Sequence, residues 1–101
     1  MGNAISTMES LSSVMDTLRK RGYKEDFNTN PGKELLQTNP EEFIIDKTYR
    51  FEGITDPDDE AILYAISSKK NNFKGILVNG YGIYADESVN KIAERLKIRK
   101  T

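Results

Sequence analysis

The sequence predicts an α+β fold in which an antiparallel β-sheet, a meander of about five strands, is flanked by an N-terminal and a C-terminal helix. Apolar residues recur at helical spacing near both ends of the chain, and they alternate with polar residues across residues 43–84. A chain of 101 residues is the size of one domain, in which we expect residues 1–5 to form a flexible N-terminal arm.

The first helix is predicted over residues 7–21. Ser6 and Glu9 have the spacing of a capping box, and apolar residues follow at helical spacing: Met8, Leu11, Met15 and Leu18. Gly22 supplies a left-handed residue to end this helix. Residues 23–27 then alternate weakly, and we expect residues 34–38 to pair back on them as a short hairpin.

Three longer strands come next. Asn39 and Pro40 resemble a helix start of at most one turn, because period-two alternation begins at Phe43. That alternation places one set of side chains on one face and a second set on the other: Phe43, Ile45, Tyr49 and Phe51 against Thr48, Arg50 and Glu52. Residues 62–67 alternate as well. Residues 73–84 carry apolar side chains on both faces, as a central strand does: Ile76, Val78 and Tyr84 against Leu77, Tyr81 and Ile83.

The chain closes with a second amphipathic helix. Residues 86–88 form its N-cap region, and apolar residues follow at helical spacing: Val89, Ile92, Ala93 and Leu96. The simplest arrangement packs both helices on one face of the sheet.

The amino-acid composition limits the groups that could act in catalysis or metal binding. The chain has no histidine and no cysteine, which removes the commonest general base, the thiolate nucleophile and the nitrogen and sulfur metal ligands. No cofactor is expected. Without disulfides, a membrane-spanning run or a signal-peptide core, the expected location is the cytoplasm.

Charge is unevenly spread although the net charge is only −1. Residues 41–60 hold eight acidic and two basic residues, and residues 91–101 hold five basic residues and one acidic residue. The basic end lies on an amphipathic pattern without interleaved aromatics, so a solvated helix face is a better interpretation than nucleic-acid binding. Gly2 and Ser6 match a myristoylation pattern, but Ser6 is already explained by helix capping, and we expect no membrane partner.

Two further motifs have a functional and a structural interpretation. Residues 80–85 have the spelling of a dinucleotide fingerprint, but the chain ends before the second strand that this fold needs, which favours glycines in a strand. The acids of residues 55–60, among them Asp56, Asp58 and Asp59, loosely resemble a calcium loop. They also read as a type I turn between strands, which is the interpretation we favour.

Residues 49–68 and 74–86 resemble a family of short uncharacterised bacterial proteins, some of which carry the label phosphoribosylpyrophosphate synthetase. The resemblance implies membership and no established activity or site. We expect no such synthetase activity, because Asp58 and Asp59 lead into residues 60–64, which contain neither glycine nor threonine to cradle a pyrophosphate.

Two functions from different classes follow. The first is a non-catalytic module that binds a protein partner or a second copy of itself. Its homodimer interface would use a patch that includes Leu63, Leu77, Tyr81 and Ile83. The second is a small-molecule or phosphate-binding domain or enzyme, with Arg50, Asn79, Tyr81 and the acidic turn as candidate ligand residues. The sheet tyrosines Tyr49, Tyr64, Tyr81 and Tyr84 would line that site if they converge.

Overall fold

The computed structural model of the chain describes residues 11–51, 61–70, 73–80 and 86–98. These residues form three α-helices: α1 (Leu11–Lys20), α2 (Gly32–Thr38) and α3 (Glu87–Arg95). They also form five strands: β1 (Glu25–Asp26), β2 (Phe43–Phe51), β3 (Ala61–Ser68), β4 (Lys74–Gly80) and β5 (Lys97–Ile98). A 3-10 turn, Pro40–Glu42, leads into β2 and is the single turn that the sequence predicts there.

The sheet is mixed, and the prediction of a purely antiparallel meander was wrong. The strand order is β1-β4-β3-β2-β5. The three central strands are antiparallel neighbours, whereas β1 runs parallel to β4 and β5 runs parallel to β2. Each edge strand has only two residues, which is too short to show any alternation in the sequence.

The expected hairpin between residues 23–27 and 34–38 is also wrong. The second segment is helix α2, which buries Leu36 and ends where the amide of Asn39 donates to the carbonyl of Leu35. The first segment pairs with β4 instead, and the amide of Phe27 donates to the carbonyl of Ile76 at 3.0 Å. Paired leucines in a seven-residue segment fit a helix or a strand equally well, so the sequence pattern could not decide between them.

The two predicted helices lie on opposite faces of the sheet, not on one face. On the first face, which we call the α1 face, Val14 and Leu18 of α1 pack with Leu63, Ala65 and Ile76. On the second, the α3 face, the core contains residues of α2 and α3 together with sheet residues: Phe27, Leu36, Phe43, Ile45, Ile66, Leu77, Val89, Ile92 and Leu96. The sheet is therefore the middle layer of three.

A β-bulge divides β2 into two halves that face opposite ways. Ile45 is opposite Ile66, but Lys47 is opposite Ala65, so Asp46 is an extra residue on β2. Because side chains alternate along a strand, one extra residue exchanges the faces. Phe43 and Ile45 therefore point to the α3 face, while Tyr49 and Phe51 pack on the α1 face. The prediction that these four side chains share one face was wrong.

The end of α1 and the start of α3 behave as their sequences indicate. The last turn of α1 carries Arg19 and Lys20, and Gly22 follows with φ of 105°, a conformation that few other residues adopt. At the start of α3, the carboxylate of Asp86 accepts a hydrogen bond from the amide of Ser88, as an N-cap residue does. Residues 1–10, which include the expected arm and capping box, lie outside the described part of the chain.

Candidate ligand groove

An open groove of about 720 Å³ lies on the α3 face, between helix α3 and the strands β2 and β3; we call it the α3 groove. Its floor is formed by five side chains of the two strands: Ile45, Thr48, Arg50, Ile62 and Tyr64. Its wall is formed by Asn90, Ala93 and Glu94 of α3, and Ile98 of β5 lies at its edge. Strand β4 contributes nothing to the lining, so α3 leaves the β2 side of this sheet face open.

The floor owes its polar side chains to the bulge in β2. Beyond Asp46, the even-numbered residues of β2 point to the α3 face, which brings Thr48 and Arg50 into the groove. Thr48 is opposite Tyr64, and Arg50 is opposite Ile62 in the next strand. In each of these two cross-strand pairs, a polar residue of β2 therefore lies beside an aromatic or apolar residue of β3.

The wall follows from the periodicity of α3. Val89, Ile92 and Leu96 are buried against the sheet. Asn90, Ala93 and Glu94, at i, i+3 and i+4, form the neighbouring stripe on the same helix, and that stripe faces the groove. Helix α3 thus covers the core with one stripe of residues and lines the groove with the neighbouring stripe.

The wall is tied to the sheet through Asn79. Its side chain is buried, and its Nδ2 donates to Oδ1 of Asn90 at 2.7 Å and to the carbonyl of Asp86 at 3.4 Å. Its Oδ1 accepts from the amides of Gly80 at 2.9 Å and Asp86 at 2.8 Å. Both ends of the Asn79 amide are therefore occupied, so Asn79 positions the start of α3 and has no donor left for a ligand.

The same bond orients Asn90. Its Oδ1 is engaged by Asn79, so its Nδ2 is the atom that remains for other partners. Within the described residues, Nδ2 of Asn90 makes no hydrogen bond. The wall accordingly offers an amide donor to the groove.

Asp86 anchors α3 from outside the groove. Hydrogen bonds from the Ser88 hydroxyl at 2.7 Å and the Ser88 amide at 2.9 Å lower the pKa of the Asp86 carboxyl, since both favour its charged form.

Two opposite charges line the α3 groove without neutralising each other. Arg50 lies on the floor and Glu94 on the wall. Ion pairs among the described residues are Lys20 with Asp16 and Lys70 with Glu42, and neither includes a groove residue. Among the residues that the structure describes, Arg50 and Glu94 also take part in no hydrogen bond, so both charges are available to a third group.

The candidate residues from the sequence have different places in the structure. Arg50 lines the groove, Asn79 supports its wall, and Leu77 lies in the core. The other candidates, Asp56, Asp58, Asp59, Tyr81 and Ile83, lie outside the described residues. Tyr64 faces the α3 groove, whereas Tyr49 packs on the α1 face, so these two tyrosines do not converge.

The expected apolar patch needs a correction. Leu63 and Leu77 are 0% exposed and belong to the cores of opposite faces. They are covered because each sheet face has its own helix, whereas the patch was expected on a face without one. Neither side chain can form a dimer contact.

Three groove residues were not anticipated as a site from the sequence: Thr48, Asn90 and Glu94. For Asn90 and Glu94 a signal existed, since they flank the apolar stripe of α3 at i and i+4. The sequence contains no signal for the strand pair that would lie opposite them.

No cluster of three or more acidic side chains suited to a metal ion occurs in the ranges that the structure describes. The acidic turn falls in residues 52–60, which are outside those ranges. Among the described helices, none has the length and apolar character needed to cross a membrane.

Comparison with protein-family models, curated proteins and solved structures gave no match to this chain.

Proposed function

We propose that the protein is a binding module and that the α3 groove holds its ligand. The observation that carries the proposal is Arg50, which lines the groove opposite Ile62 and has no ion pair or hydrogen bond among the described residues. An arginine in such a place can bind a carboxylate or phosphate through two parallel hydrogen bonds.

The shape of the groove supports this proposal. Its volume of about 720 Å³ lies within the range of roughly 300–1,000 Å³ that is typical of small-molecule sites. Such sites combine a mainly apolar lining with a few polar groups that orient the ligand. Here the apolar part comes from isoleucines and Ala93, and the polar part comes from Arg50, Thr48 and Asn90.

A titration followed by NMR tests the proposal. Isocaproate, an apolar carboxylate, is added to the isotopically labelled chain, and isocaproamide, in which a neutral amide replaces the carboxylate, serves as the matched probe. We expect isocaproate to shift the amide signals of Thr48, Arg50 and Asn90, and Arg50→Gln to abolish these shifts.

Arg19→Gln is the control variant, because Arg19 is an exposed residue of α1 on the opposite side of the sheet. It should leave the titration unchanged. Isocaproate shifts that persist in Arg50→Gln, or that map to the α1 face, would refute the proposal.

We also propose a cytoplasmic homodimer, now with a different contact from the one expected. Ile98 is 64% exposed and lies on the edge strand β5, and an exposed apolar side chain on a strand edge favours association. Light scattering at high protein concentration should give twice the chain mass of 11.5 kDa, and Ile98→Glu should return it to one chain. Cell fractionation tests the location.

A further inference from the structure

We propose that the ligand of the α3 groove is a zwitterion with an apolar body, the chemistry of a short hydrophobic peptide with free termini. This inference rests on the proposed function and names the ligand class of the same site. In it, Arg50 binds the terminal carboxylate and Glu94 binds the terminal ammonium.

The first support is the pair of available charges. An arginine and a glutamate that line one groove would ordinarily pair if they could reach each other, yet neither has an ionic or hydrogen-bonded partner within the described part of the chain. A ligand with one charge of each sign would satisfy both at once. A ligand with a carboxylate alone would leave Glu94 facing a second negative group.

The second support is where the fold places the two charges. Arg50 lies on the floor of the groove, and Asn90 at the start of α3 is hydrogen-bonded to Asn79 of β4. Strand β5, which follows α3, pairs with β2, so α3 crosses above the floor and carries Glu94 on the wall. A ligand that lies in the groove therefore has one charge below it and the opposite charge beside it.

The third support is the surface between the two charges. The lining there alternates apolar side chains with the hydroxyl of Thr48 and the amide donor of Asn90. A dipeptide has the complementary pattern of apolar side chains and a peptide carbonyl that accepts a hydrogen bond.

Three probes that differ only in their end groups test the inference on the full chain near neutral pH. They are leucyl-leucine, its N-acetyl derivative, which lacks the ammonium, and its C-terminal amide, which lacks the carboxylate. Dissociation constants come from NMR titration. We expect leucyl-leucine to bind most tightly and the loss of either charge to weaken binding by about fivefold.

Two variants connect each end group to its residue. In Glu94→Gln the free and N-acetylated dipeptides should bind equally, and in Arg50→Gln the free and amidated dipeptides should bind equally. Glu34→Gln, an exposed position on α2 away from the groove, is the control and should preserve both preferences. Urea denaturation of each variant verifies that the fold is retained.

The outcomes separate this inference from the proposed function. If the blocked dipeptides bind as tightly as the free one, or if Glu94→Gln preserves the preference for a free ammonium, the zwitterion is refuted. The binding module survives that result as long as isocaproate still binds through Arg50. If leucyl-leucine does not bind at all, the inference is refuted regardless of the isocaproate result.

Discussion

The side-chain amide of Asn28 binds both backbone groups of Val78. Nδ2 of Asn28 donates to the carbonyl of Val78 at 2.8 Å, and the amide of Val78 donates to Oδ1 of Asn28 at 2.8 Å. This pair continues the β1–β4 ladder, which ends at Asp26 and Ile76, by one more rung. The Asn28 side chain therefore forms the hydrogen bonds that a further strand residue would form, and it covers the edge of β4.

We expect Asn28→Ala to lower the free energy of unfolding by about 1–2 kcal/mol, since two exposed hydrogen bonds are lost. Urea denaturation measures the change. Gln37→Ala, at an exposed position of α2, is the control and should stay within about 0.5 kcal/mol of the wild type. An Asn28→Ala protein as stable as the wild type would mean that water replaces the amide without loss.

Gly75 of β4 pairs with Glu25 of the neighbouring strand β1. A Cβ at this position would lie 2.6 Å from the carbonyl oxygen of Glu25 and 2.6 Å from Cε2 of Phe27. Because the first of these atoms is backbone, β1 has to move, and we expect Gly75→Ala to destabilise the fold by about 1–3 kcal/mol. Hydrogen exchange at the Phe27 amide, which bonds to Ile76, should accelerate. An unchanged exchange rate at the Phe27 amide would contradict the expected steric clash.

Asn79 should be the most sensitive polar residue of the described core. We expect Asn79→Ala to cost about 1–3 kcal/mol, because it leaves the amide of Asp86 and the side chain of Asn90 without their partner. Asn90→Ala should cost less, since it removes only one of those bonds. Denaturation of both variants and of the double variant gives the coupling energy, which should be nonzero because the two side chains are in direct contact.

Asp86 should make part of the stability depend on pH. Its pKa in the folded protein is lowered by the hydrogen bonds from Ser88, whereas in the unfolded chain it takes its ordinary value of about 4. The stabilisation is therefore complete above the unfolded pKa and is lost as the pH falls through the folded pKa.

The measurement compares wild type with Asp86→Asn in urea over a range from neutral to strongly acidic pH. Asparagine still caps a helix but does not titrate in this range. The difference in unfolding free energy should be constant near neutral pH and shrink below about pH 4. Ser88→Ala should make this pH-dependent change smaller, because without the hydroxyl bond the folded pKa of Asp86 lies closer to its unfolded value. A difference that does not change with pH would contradict the role of these bonds.

The parts of the fold that sequence reasoning found are those with a local signal. Helices α1 and α3 have a 3.6-residue period and end signals at Gly22 and Asp86, and the three central strands alternate over seven or more residues. Strands β1 and β5 pair with strands that are far away in the sequence. Each has two residues, which is too short for a periodic pattern. Which face a helix covers is likewise decided by tertiary packing.

The candidate site was found only in part for the same reason. Arg50 was recognisable as a charged residue on an otherwise half-buried strand. Asn90 and Glu94, which lie across the groove from it, belong to helix α3. No local sequence pattern predicts that this helix lies over β2 and β3. Asn79 was expected as a ligand residue, but its buried amide is hydrogen-bonded to Asn90 and the start of α3.

The extra residue at Asp46 makes β2 more vulnerable to a change in length than to a change in chemistry. Deleting Asp46 would preserve every other side chain, yet it would turn Arg50 toward the apolar α1 face and bring Tyr49 into the groove. A one-codon deletion would thus change both the core and the lining of the α3 groove. In any relative of this chain, the number of residues between Phe43 and Arg50 therefore decides whether an arginine at this place faces the groove.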